Sequence, residues 1–187
     1  MIVIKEQDAV YLASPMKFQN YSPNVRVDYS FEENGDMWHI NDGHGTVVMV
    51  AASNNRIIDL IRYSDIFNTE FSKDGMNRVY ASLKELLKGT NCYFKDGRFG
   101  GEIVVARGNR AYKIANNGAV LELGEIDCFD DDDERILASY EFCREISDPK
   151  ERITTLYSRV SDLSSNQLFP IALINTKDDS YTLIATP

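Results

Sequence analysis

The run CFDDDDERILASYEF, Cys128 to Phe142, holds the densest concentration of charge in the chain. Clustered carboxylates can hold a divalent cation if a loop aims their oxygens at one point. A calcium loop of the EF-hand kind needs acids at alternate positions, a glycine at the sixth and a glutamate at the twelfth. Counting from Asp130 supplies Asp132, Glu134 and Glu141, but the sixth position is Arg135, and a helical pattern already runs through it. The spacing therefore predicts no metal site, only acids at a helix N-terminus that complement its macrodipole. The other chemistry-bearing residues are dispersed. His39 falls in a strand-like run and His44 in a turn, neither at ligand spacing from a cysteine or carboxylate. Cys92, Cys128 and Cys143 are odd in number and widely spaced, which fits neither a disulfide framework nor zinc and points to reduced thiols. Cys92 lies in the loop-like GTNCYF with nothing local to depress its pKa, and Cys143 falls on the inward face of a helix. GRFGG at 97–101 lacks the Lys-Ser/Thr of a phosphate loop and leads into a strand. No cofactor is expected.

Positioning such residues requires elements, and these are legible as hydrophobic periods. IVIK and AVYLAS form a hairpin around EQD. NVRVDYSF alternates, ENGD turns, MWHI resumes a strand, NDGHG turns again, and TVVMVAA is a continuous apolar run of the kind buried on both faces. Ser53 caps a short helix with Ile57, Leu60 and Ile61 inward. Met76, Val79, Tyr80, Leu83, Leu86 and Leu87 line one face of a second helix, closed by Gly89. After a loop over 89–101, three strands follow at 102–106, 110–114 and 120–123, joined by RGN and NNG. The acidic run opens a helix with Ile136, Leu137, Tyr140 and Cys143 inward. Another helix starts with Asp148 as N-cap, Pro149 at the first position and Glu151 at the third, and carries Ile153, Leu156, Tyr157, Val160 and Leu163 inward. PIALIN and SYTLIA close the chain around TKDD.

Composition bounds the function. With 187 residues and 43% apolar content, the chain has material for one domain, expected over 1–187. Aromatics at 11% argue against disorder. The protein is acidic, with 29 acids against 20 bases and a net charge of −9; with no Lys/Arg cluster this disfavours nucleic acid and anionic membranes as partners. No apolar run reaches membrane-spanning length, and MIVIKEQD lacks the basic-then-apolar pattern of a signal peptide. A cytoplasmic location is expected.

Strands, two helices, strands, two helices and strands, in that order, resemble the N-terminal-nucleophile hydrolase fold, and within it proteasome subunits and their bacterial relative HslV. AVYLASP resembles the family's second strand, HINDGHGTVVMVAASNNRIIDLIR its strand–turn–strand–helix segment, and EIVVARGNRAYKIANNGAVLELGEIDCFDDDDERILASYEF its three strands and following helix. The resemblance implies an α+β fold: a four-layer αββα sandwich of two antiparallel sheets flanked by helix pairs. It also implies chemistry carried by a chain-terminal Thr, whose hydroxyl attacks and whose α-amine, with a pKa of about 8, is the base. On that pattern Met1 stands where the nucleophile is needed, and Pro15 where an aspartate follows the second strand. Asp36, or the adjacent Met37, takes the place of a lysine, VAAS that of a glycine-rich corner, and Asp131, within Asp130–Asp133, that of a Gly-Ser-Gly. A late aspartate falls near Phe169 or Pro170. The expectation is a non-catalytic homologue that works by self-assembly, as a homo-oligomer, or by binding a protein partner. The alternative is a divergent N-terminal-nucleophile peptidase or amidohydrolase with relocated catalytic residues.

Overall fold

The computed structural model describes residues 1–15, 37–41, 47–52, 57, 60–61, 64–90, 96, 98–99, 101–128, 133–164 and 168–185. Ten strands and three helices are built from them. β1 (Ile2–Lys5), β2 (Val10–Pro15), β8 (Ile126–Cys128), β9 (Ile171–Asn175) and β10 (Ser180–Ile184) make one antiparallel sheet in the order β10-β9-β2-β1-β8. β3 (Met37–Asn41), β4 (Val47–Ala52), β5 (Ile103–Arg107), β6 (Arg110–Ile114) and β7 (Val120–Glu122) make a second, in chain order. The helices are α1 (Lys73–Leu87), α2 (Asp133–Tyr140) and α3 (Pro149–Ser164). Ile57, Leu60 and Ile61 are also helical, and Ile57 and Ile61 are buried. The expected strand at 24–31 lies outside the described residues.

Side chains alternate across a strand, so each strand contributes to two apolar layers. Ile103 and Val105 join Met76, Val79, Leu83 and Leu87 of α1 in one cluster. Val104 and Ala106 join Met1, Val3, Val10, Leu12, Ala172 and Ile174 in the cluster between the sheets. Ile2, Ile4, Ala13, Ile171 and Leu173 turn the other way, onto Ile136, Tyr140, Ile153, Leu156, Tyr157 and Val160 of α2 and α3. The packing order is thus helix, sheet, sheet, helices. Full burial of a Leu or Val of this kind contributes about 2 kcal/mol.

The turns and caps follow the local chemistry. Gly108 (φ 57°) and Gly118 (φ 87°) take left-handed conformations in RGN and NNG, and Gly89 (φ 82°) follows the end of α1. The Asp148 carboxylate accepts from the Glu151 N–H at 2.9 Å, so α3 begins where the sequence signals it.

Two inward assignments and one loop reading need correction. Leu137 is 42% exposed and Leu163 63% exposed, and neither belongs to the cluster that α2 and α3 form with the sheet. Phe99, read as part of a polar loop, is fully buried in the α1 layer, and its N–H donates to the Asn116 carbonyl. β8 was not expected at all. It is three residues long and contains Asp127, so it has no readable period, yet its backbone closes the sheet against β1.

Candidate functional site

The corner the resemblance marks as catalytic lies at the start of β1. There the α-carbon register pairs Ile2 with Ala13 on one side and with Cys128 on the other. Ile2, Ala13 and Cys128 all belong to the layer under α2 and α3. Met1 therefore has the opposite phase. Its side chain is 5% exposed and belongs to the apolar cluster between the sheets. A thioether has no proton to transfer and is a weak acceptor. At this position it fills space.

Pro15 ends β2, pairs with Ile171 of β9 and is buried. Its ring carries no donor, acceptor or charge, and a strand terminus tolerates its missing N–H. Met37 opens β3 and pairs with Ala51. Phe169 and Pro170 are half-buried just before β9, with Phe169 packed on the α2–α3 layer. Asp36 and Asp131 lie outside the described residues, as do His44, Cys92 and most of the acidic run. Residues 133–140 are helical, as the pattern through Arg135 predicts.

One polar residue of this corner escapes sequence reasoning. Continuing the β1–β2 register by one step sets Ser14 opposite Met1, and Ser14 shares its strand phase with Val10 and Leu12, on the inter-sheet side. It is 5% exposed, and its hydroxyl donates to the Pro15 carbonyl at a long 3.4 Å. The signal was present in AVYLASP, where alternation from Val10 assigns Ser14 to the inward face.

Cys128 and Cys143 lie on the other side of the β1 sheet, under the helices. Burial pushes the Cys143 thiol up, which disfavours thiolate, and its Sγ donates to the Ser139 and Tyr140 carbonyls at 3.4 Å. Tyr157 of α3 reaches through this layer to donate its hydroxyl to the Ala13 carbonyl at 3.0 Å. Tyr157→Phe should therefore cost about 1 kcal/mol, read as a lower urea midpoint at constant slope. An unchanged midpoint would show that the bond does not hold β2 to the helices.

The organised polar chemistry sits at the far end of β1. Arg152, 7% exposed, donates to the Glu6 carboxylate in the β1–β2 turn and, at 2.8 Å, to the Ile146 carbonyl. Burial alone would lower the Arg152 pKa, but hydrogen bonds and charge from Glu6 and Tyr140 outweigh it, so the guanidinium is held above its ordinary value. Nearby, the Thr176 hydroxyl accepts from the Val10 N–H at 2.8 Å and donates to the Gly108 carbonyl, tying the β9–β10 turn to the β5–β6 turn of the other sheet. Asn109 donates to the Gln7 carbonyl at 3.0 Å. These contacts clasp the turns to one another and to α3.

Two antiparallel sheets packed face to face and covered by helices on both outer faces place the chain in the class of α+β sandwiches. Within that class it is similar to BPH from Thiobacillus denitrificans. The complex of that protein with epoxomicin superposes with a TM-score of 0.65 at 13% identity, covering 93% of this chain and 96% of that one. A second BPH structure gives 0.62 at 12% identity, covering 100% and 98%. At these identities the likeness shows the fold alone. No family model matches the chain, and no curated protein sequence matches it. No helix among the described residues is long and apolar enough to cross a membrane.

Proposed function

We propose that this chain is a non-catalytic protein of the proteasome/HslV-like kind, acting by self-assembly or by binding a protein partner. The observation that carries this reading is the inter-sheet burial of Met1: the position where the proteasome-like chemistry would need a side-chain hydroxyl is occupied by a thioether packed with Val3, Leu12 and Val104. Pro15 likewise offers no carboxylate beside it. Leu137, Phe142 at 72% and Leu163 are exposed apolar side chains on the α2–α3 side that association would cover.

Incubation with epoxomicin, the ligand of the BPH complex, followed by intact-mass measurement, tests this. The expected result is an unmodified chain that retains Met1. An adduct on one residue, or a chain trimmed to begin at an internal Thr, Ser or Cys, would overturn it. The alternative, a divergent hydrolase with relocated residues, has one observation in its favour, the Ser14 hydroxyl opposite Met1. A stoichiometric adduct mapped to Ser14 would establish that alternative.

A further inference from the structure

We infer that β10 is a self-pairing edge, through which two copies of this chain join antiparallel and continue the β1-containing sheet across a two-fold axis. The inference goes beyond the assembly reading by assigning a surface to it.

β10 ends its sheet, and among the described residues β9 is its strand neighbour on one side alone. One row of its N–H and C=O groups therefore faces away from the sheet, the arrangement that templates pairing with another strand. Natural edges are ordinarily guarded by charge, proline, a bulge or shortness. β10 has none of these. Ser180–Ile184 contains no charged residue and no proline, and it pairs one-to-one with β9 over all five residues. Two of the three other described edges are guarded. β8 is three residues long and carries Asp127, and β7 is three residues long, with Glu122 ion-paired to Arg110. The third, β3, is five residues long without Asp, Glu, Lys, Arg or Pro and pairs one-to-one with β4, so what selects β10 is its exposed Tyr181 and Leu183.

The side chains choose the orientation. Tyr181 and Leu183, each 38% exposed, pair with Ile174 and Ala172 of β9 and so share their face. Antiparallel pairing centred on Thr182 sets Tyr181 of each copy against Leu183 of the other, twice, and Ser180 against Ile184. Aromatic–aliphatic cross-strand pairs of this kind are favourable. The same register sets Asp179 opposite Ala185 and leaves the two acidic β9–β10 turns, with Asp178 and Asp179, at opposite ends. Parallel pairing would stack these acids on one another in a chain of net charge −9. The occupant that fits is thus a second copy, antiparallel.

Sedimentation equilibrium of the full chain over a range of concentrations tests the inference. The wild type should show a monomer–dimer equilibrium. Tyr181→Lys/Leu183→Lys sets two lysine pairs against each other and should weaken association at least about tenfold. Tyr181→Lys/Leu183→Glu sets Lys against Glu twice and should recover it. Circular dichroism checks that both variants fold. Should the Lys/Lys variant not fold, hydrogen exchange of the wild type decides: the β10 amides should exchange more slowly at high than at low concentration. A wild type that is monomeric throughout, a Lys/Lys variant that associates as the wild type does, a folded Lys/Glu variant that fails to recover, or β10 exchange independent of concentration would each overturn it. Association that survives Lys/Lys but is lost in Phe142→Glu would overturn edge pairing while leaving assembly through the helices intact.

Discussion

Arg152→Ala should lower the free energy of unfolding by about 3 kcal/mol, a large fraction of what a domain of this size has. The guanidinium is buried between the β1–β2 turn and the end of the helical layer, and it serves three acceptors: the Glu6 carboxylate, the Ile146 carbonyl and the Tyr140 hydroxyl. Removing it strands the Ile146 carbonyl and leaves Glu6 without its counter-ion. The side chain of Glu6 is 34% exposed and can recover some hydration, which places the cost at the lower end for a broken buried pair. Glu6→Gln alone should cost less, because an amide oxygen still accepts from Arg152. Urea unfolding of wild type, both single variants and the double variant would give the coupling directly. Additive single effects, with no coupling between positions 6 and 152, would show that the ion pair does not join the hairpin to α3.

Gly75→Ala should also destabilise by about 3 kcal/mol, the upper end of ordinary overpacking costs. This reverses the usual expectation, since alanine exceeds glycine in an exposed helix interior by about 1 kcal/mol. A Cβ built on Gly75 would lie 1.7 Å from the Glu70 carbonyl oxygen, a backbone atom that cannot rotate away. That carbonyl is fixed in turn by the Ser72 N–H at 2.9 Å, while Ser72 caps α1 by accepting from the Gly75 N–H at 3.1 Å. Relief of the clash must open either the turn or the cap. Thermal unfolding decides the matter by sign: a melting temperature equal to or above that of the wild type would show that the Glu70–Ser72 turn yields freely.

These two positions also show where sequence reasoning stops. Nothing in FSKDGMNR marks Gly75 as contacting its own upstream turn, because the contact depends on how Phe67 and Phe71 are drawn into the α1 layer. Arginine is ordinarily read as exposed, and Arg152 sits one residue from the inward Ile153; only the approach of the β1–β2 turn makes it interior. By contrast β1, β2, β5, β6, β9 and β10 were legible to within a residue or so. Their alternating or continuous apolar runs end at turn residues whose backbone preferences are local, as Gly108 and Gly118 show.

The candidate site divides the same way. That a methionine and a proline stand at the two positions the resemblance assigns to a nucleophile and an acid could be read from MIVIK and AVYLASP, because residue type is local information. Which way Met1 points could not. A strand's alternation defines two faces but not which of them meets the other sheet, and slipping one residue exchanges them. The pairing of Ile2 with Ala13 and Cys128, and the packing of Val104 and Ala106 on the far side, set that phase and turned Met1 inward with Ser14 across from it. Local periodicity and turn chemistry determined the elements and their order. Long-range register determined which side chains share the inter-sheet corner, because cross-strand pairing joins residues whose separation along the chain carries no periodic trace.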